Sequence, residues 1–386
     1  MGVIVTPQSK INEYFNSLAL SQSLLKKLLG GIDSFVHNNK KEAELYYTEK
    51  GHFIIGSAVD TLLTGEEGEF EKQYYVSQIE KKPSEVEMSI IQKAFSQVVT
   101  VNFNSIENIV DLGNYKDAVE SSIEEHNWQP NWKMDTRINK IVDIGGIYFE
   151  DLKASYGKQI LTTSEKILID DIVSSLVNNP RTSKFFDRTA LSRAEGVSVY
   201  YQLPIYFTYK DIDCKALLDI LIVVRNEKGN IVSIQPFDLK TMNGNTLKFV
   251  SNLKSFRYDI QAAWYIEALL AVDSSFHLGK GKFESECILK PFTFIVESNT
   301  FPGQPLIFET DEDLLNIGKY GIEKFFVERL NQNTETDMSV PISQKILGFD
   351  ELVDIYIYQT ENEWREEKVI TDNNGVFKIG WNGIKD

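Results

Sequence analysis

Between residues 196 and 240 the chain runs through three strand-like segments in succession: GVSVYYQLPIYFTY, ALLDILIVV and IVSIQPFDLK. β-Branched and aromatic residues dominate each segment, and the turn residues 226–230 separate the last two, so the pattern predicts three consecutive antiparallel strands. This meander constrains the rest of the chain. A turn centred between Lys228 and Gly229 sets Asp219 directly opposite Asp238, with Cα atoms about 4.5–5.5 Å apart and side chains on one face. Two residues on, the strand period returns Lys240 to that face.

Helical patterns surround the meander. Residues 19–36 predict a capped amphipathic helix, in which Ser21 or Ser23 bonds the free amides of the first turn and Gly30-Gly31 ends it. A second helix is expected over residues 55–63, where Gly56, Ser57 and Ala58 allow close backbone approach. Residues 81–179 read as mainly helical. Beyond the meander the pattern predicts a helix over 256–271, a strand over 292–297 and a helix over 311–330. The polar run 331–337 reads as a linker, followed by strand-like VDIYIYQ and a hairpin, VITDNNGVFKIGW. The expected fold is α/β (α+β), a central mixed sheet flanked by helices. Three parts are expected: a mainly helical N-terminal part over 1–180, a core over 181–330, and a small acidic β-rich C-terminal appendage over 338–386.

Two cysteines, Cys214 and Cys287, are too few for a disulfide framework, a four-Cys zinc site or a four-Cys iron–sulfur cluster. A reducing cytoplasm is the expected compartment. No basic-then-apolar leader opens the chain, and the apolar stretch 216–224 is broken by Asp219 and far shorter than the roughly 20 residues of a membrane span. No membrane association is therefore expected; the match of residues 1–6 to the permissive N-myristoylation pattern has no second signal beside it. The chain lacks GxxxxGK[ST], GxSxG and HExxH patterns, and His37, His52, His126 and His277 are scattered. General nucleotide-binding, serine hydrolase and zinc protease chemistries lose their usual support.

What remains is the Asp219–Asp238–Lys240 set. Two facing carboxylates in an apolar sheet repel unless a cation lies between them. Hard oxygen ligands of this kind suit a divalent magnesium or manganese ion rather than zinc. Lys240 would then orient or deprotonate an attacking water, or stabilise charge building on a phosphoryl group. The bland alternative is an edge charge at Asp219 and a surface salt bridge between Asp238 and Lys240. Asp151-Leu152-Lys153 repeats the same tripeptide, but it follows Ile141, Ile144 and Tyr148 at helical spacing and reads as a decoy.

Asp219 followed by Asp238-Leu239-Lys240 on the next strand resembles the motifs of the PD-(D/E)XK nuclease superfamily. The likeness is nearest to the RecB/RecE-like phage exonucleases with the lambda-exonuclease-type fold. LSQSLLKKLL at 20–29 is similar to that family's N-terminal helix, GSAVDTLLTG at 56–65 to its GTAxHxLLL helix, and Ala194-Glu195 to its upstream acidic motif. YDIQAAWYIEAL at 258–269 is similar to its QxxxY helix. The resemblance implies that Asp219, Asp238, the Leu239 carbonyl and Glu195 bind metal and that Lys240 assists the water. It also implies that Gln261 and Tyr265, with Tyr258 on the same helical face, position the site and the DNA. Asp60 stands where the family has a histidine ligand. It either ligates a hard cation or makes a helix-cap or core hydrogen bond.

The resemblance implies a Mg2+- or Mn2+-dependent deoxyribonuclease without an iron–sulfur cluster, working in bacterial or phage-infected cytoplasm. It would digest linear double-stranded DNA from the 5′ end, as a homo-oligomeric ring, with a single-strand annealing protein as partner. The alternatives are an endonuclease or single-strand or branched-DNA nuclease on the same fold, and a catalytically inactive DNA-binding or assembly subunit. The net charge of −16 argues against a general basic surface. Residues 181–290, however, hold 15 basic and 12 acidic residues, whereas residues 301–386 hold 8 basic and 17 acidic. The expectation is a narrow DNA contact near the motif strands, with the acidic C-terminal region turned away.

Overall fold

In the computed structural model, residues 2–31, 51–101, 109–155, 157–271, 283–329, 339–361, 378–380 and 383–385 are described. The strands in chain order are β1 (Gly2–Val5), β2 (Leu20–Ser21), β3 (Tyr74–Val76), β4 (Gln159–Leu161), β5 (Val197–Tyr209), β6 (Ile212–Arg225) and β7 (Ile231–Met242). They continue with β8 (Phe283–Leu289), β9 (Thr293–Ser298), β10 (Leu306–Glu309), β11 (Ile322–Arg329), β12 (Ser339–Ile346), β13 (Lys378–Gly380) and β14 (Gly383–Lys385).

The predicted meander forms the middle of an eight-stranded mixed sheet of order β1-β5-β6-β7-β9-β10, with β2 beside β6 and β8 beside β7. β5, β6 and β7 run antiparallel to their neighbours in the meander, whereas β9 joins β7 in parallel. Between β6 and β7 the pairs run from Val224–Ser233 to Ile220–Phe237, the register in which Asp219 and Asp238 come next. The route to that register differs from a symmetric two-residue turn. Asn226 and Asn230 close the loop (N to O, 2.9 Å), and a shift between Val224 and Arg225 absorbs the extra residue as a bulge does.

The fold is α/β, with helices packed on a central mixed sheet. The chain divides into two compact units, one of Met1–Lys50, Thr64–Glu66 and Ser175–Asp386, the other of Gly51–Leu63 and Glu67–Ser174. In the second, the helices Glu85–Val101, Lys116–Glu125 and Met134–Ser155 enclose Ile90, Ile91, Ile141 and Phe149, all fully buried. In the first, the helices Gln22–Lys27, Tyr258–Ala271 and Phe349–Glu361 share one core with the strands through Leu25, Trp264, Phe294, Phe349 and Leu352. Among the described residues no helix is long and apolar enough to cross a membrane.

Several expectations are corrected. A division at residue 180 fails to describe the sheet unit, because β1 pairs in parallel with β5 and β2 with β6, drawing the N-terminal residues into the sheet. The helix expected from residue 19 starts at Gln22, since Leu20 and Ser21 pair with Cys214 and Lys215. Ser21 does cap it, accepting the Leu24 N–H at 3.3 Å, and the chain turns out of helix at Gly31; residues 32–36 lie outside the described ones. The helix expected over 311–330 stops at Tyr320: Gly321 takes φ +77° and the chain continues as β11, paired with β12. VDIYIYQ is helical, within Phe349–Glu361. Its alternation hides a helical stripe, because Phe349, Leu352, Val353, Tyr356 and Ile357, spaced three and four apart, face the core. The C-terminal segment therefore supplies core residues and is no separate β-rich appendage. The run 331–337 and most of the predicted hairpin lie outside the described residues; β13 and β14 form its described antiparallel pair.

Gly318 sets how closely the helix Glu312–Tyr320 approaches the helix Tyr258–Ala271. A Cβ there would sit 2.1 Å from the Asp259 carbonyl oxygen. Gly318→Ala is expected to cost about 1–3 kcal/mol through overpacking, seen as a lower urea midpoint with an unchanged slope. A wild-type midpoint would contradict this packing.

Candidate active site

The β6–β7 ladder ends at Ile220–Phe237. Beyond it β6 pairs with β2 at Cys214, while β9 lines the opposite edge of β7 from Phe237 onward. Asp219 and Asp238 are the first residues past this parting. A widening sheet leaves backbone donors to satisfy, and Asp219 answers one of them: its Oδ2 accepts the Leu239 N–H at 2.8 Å. The carboxylate thus replaces a ladder bond and is held beside β7.

Asp238 is 1% exposed. Its Oδ1 accepts a hydrogen bond from Gln261 Nε2 at 2.6 Å, and the same amide lies 3.3 Å from the Tyr265 hydroxyl oxygen. Its Oδ2 lies 2.5 Å from Lys240 Nζ. That contact is a buried ion pair between the carboxylate and the ammonium. Lys240 Nζ also stands 5.1 Å over the Tyr258 ring. Burial opposes the charge of Lys240, but Asp238 and then Asp219 outweigh it and hold the ammonium above the ordinary lysine value. Burial, reinforced by nearby negative charge, keeps the Tyr265 phenol protonated.

The structure therefore brings Asp219, Asp238, Lys240, Tyr258, Gln261 and Tyr265 together, with Leu239 between the two acids. All the donors are hard oxygens, the chemistry that magnesium or manganese takes. Two carboxylates are nevertheless fewer than the ligand set expected: among the described residues no three acidic, histidine or cysteine side chains converge to hold a metal. Glu195 is exposed in the turn before β5. Val197 pairs with Val224, five residues along β6 from Asp219, so Glu195 lies at least about 16 Å away along the strand. Asp60 is half-buried on the helix Gly51–Thr64 and belongs to the second compact unit. The repeated tripeptide lies on the helix Met134–Ser155, where Asp151 accepts from Ser77 Oγ at 2.5 Å and Lys153 pairs with Glu150.

Two neighbours were not anticipated. Lys26 donates to the Phe256 carbonyl at 3.2 Å and lies 5.6 Å from the Tyr258 ring centre; burial and then the charge of Lys240 push its amine down to about 8. Gln202 falls where β5 faces Asp219, between the pairs Tyr201–Ile220 and Leu203–Leu218. It takes φ +52° and donates to Thr64 Oγ1 at 2.9 Å, and its one sequence signal is an amide interrupting an apolar strand. Glu297, opposite Thr241 and so on the other face of the sheet from Asp238 and Lys240, is fully buried and spends its carboxylate on the Ser298 and Gly303 N–H groups and the Ser175 hydroxyl.

No family model matches the chain, and no curated protein is similar to it. Among solved structures, the chain is similar to "Putative exonuclease" from Eubacterium rectale, at 14% identity over 65% of this chain and 77% of that one, with a TM-score of 0.27. Similarity at that level carries no argument about this chain.

Proposed function

We propose that this protein is a metal-dependent deoxyribonuclease of the PD-(D/E)XK type that hydrolyses phosphodiester bonds at the ends of linear double-stranded DNA. The observation that carries the reading is the parting of β6 and β7 at two carboxylates, with Lys240 on the same face and ion-paired to the buried Asp238. The resemblance of the motifs to the RecB/RecE-like exonucleases supplies the substrate and the 5′-to-3′ direction.

Asp219 and Asp238 would hold Mg2+ or Mn2+. When bound, such an ion acidifies water and offsets charge on a phosphate undergoing displacement. The chain's own residues do the rest. Gln261 locks the Asp238 carboxylate by its amide, and the Leu239 N–H locks that of Asp219, so neither has to reorganise when substrate arrives. Lys240 stays cationic and presents charge to a phosphoryl oxygen or orients the water beside it. Tyr265 keeps its proton and so adds no further negative charge to a site that must accept a phosphate.

Purified protein with Mg2+ or Mn2+ is expected to release nucleotides from end-labelled linear duplex and to leave covalently closed circles intact. Equal cutting of circles would replace the exonuclease reading by an endonuclease. Failure on every DNA form with both metals would favour a non-catalytic binding role.

A further inference from the structure

Phe256 stands out of the core it borders. It follows the helix Phe249–Ser255, closes it through its own N–H on the Asn252 carbonyl at 2.8 Å, and leaves its side chain largely in solvent. The next residue, Arg257, takes φ +52°, a left-handed conformation that a side chain of this size rarely adopts. The surroundings hold it there: its guanidinium grips the Asp259 carboxylate at 3.0 and 2.9 Å and donates to the Leu347 carbonyl at 2.7 Å. A pinned, strained corner therefore fixes the backbone beside Phe256 just before the helix that carries Gln261.

The corner adjoins the candidate active site. The Phe256 and Tyr258 rings are 5.8 Å apart and inclined by 35°. Lys26 ties the Phe256 carbonyl to the Tyr258 ring, while Lys240 covers Tyr258 at 5.1 Å. Lys254 is exposed on the same short helix. Passing outward from Asp238, the site thus changes from acidic to basic and ends on an exposed aromatic ring. Basic groups beside an exposed ring suit a polyanion that can offer a flat π-face. Bases within a duplex hide their faces in the stack, so the strand that meets this ring must be unpaired.

We propose that Phe256 is a stacking platform for an unpaired base at a DNA end, with Lys26 holding the adjacent phosphate. The inference rests on the nuclease reading for the identity of its ligand.

The test uses the full chain in Ca2+ without Mg2+ or Mn2+, with short oligothymidylates carrying 2-aminopurine at the 5′ or the 3′ terminus. Wild-type protein is expected to bind and quench the label at one terminus, which also reports the direction of entry. Phe256→Ala is expected to weaken binding about tenfold and lose the quenching, and Phe256→Trp to keep both. Lys26→Ala is expected to lower the slope of log affinity against log salt by about 0.7. Binding and quenching unchanged in Phe256→Ala, or quenching at neither terminus, would overturn the platform. Nuclease activity is measured separately on the same preparations. Phe256-dependent quenching without nucleotide release in Mg2+ or Mn2+ would retain the platform and reject the nuclease, whereas normal hydrolysis with a silent Phe256→Ala would do the reverse.

Discussion

Asp238→Ala is expected to reduce Mg2+-supported nucleotide release by at least about a hundredfold to a thousandfold, the scale set by loss of one preorganised electrostatic group. Lys240→Ala is expected to do the same. Lys153→Ala, a change to the identical tripeptide on the Met134–Ser155 helix, serves as the control and is expected to retain activity, since that lysine pairs with Glu150. A readout independent of turnover accompanies the assay. Mg2+ binding to the native state alone raises the unfolding temperature by mass action, so wild-type protein should gain thermal stability with Mg2+ and Asp238→Ala should not. If both variants keep full activity, the site is wrongly assigned. If Mg2+ stabilises Asp238→Ala as much as wild type, the ion binds elsewhere.

The second large effect concerns the C-terminal segment. Phe349 is fully buried, edge-on to Trp264 at 5.2 Å and 5.4 Å from the Tyr209 ring. Trp264 in turn donates to the Lys215 carbonyl at 3.0 Å from the helix that carries Gln261 and Tyr265. Phe349→Ala is expected to destabilise the protein by about 3–5 kcal/mol, as other large-to-small core changes do, and to lower activity because the cavity lies behind the helix of the site. Urea unfolding followed by tryptophan fluorescence measures it. A wild-type midpoint would mean that the segment after Gly348 is peripheral after all.

Much of the site could be read in the sequence because it is built from local repeats. A turn near Lys228 and a period of two suffice to face Asp219 toward Asp238 and return Lys240 to the same side. A spacing of four suffices to align Gln261 with Tyr265. Where the local pattern served two periods, it misled: VDIYIYQ alternates like a strand, and only Phe349 and Leu352, outside that window, complete the helical stripe. Continuing the helix past Gly321 failed for a related reason, since β11 is defined by its pairing with β12 and not by its own residues.

The opening feature, three strands and a register, was thus determined by some forty-five consecutive residues. What those residues do not encode is the parting of β6 from β7 at the acid pair, beyond which β2 from the N-terminus takes the free edge of β6. Nor do they encode the approach of Lys26 to Tyr258 or of Gln261 to Asp238. Side-chain period and turn register depend on neighbours along the chain. The partners that neutralise a buried charge, or end a ladder, are drawn from any part of it, and only the tertiary fold selects them.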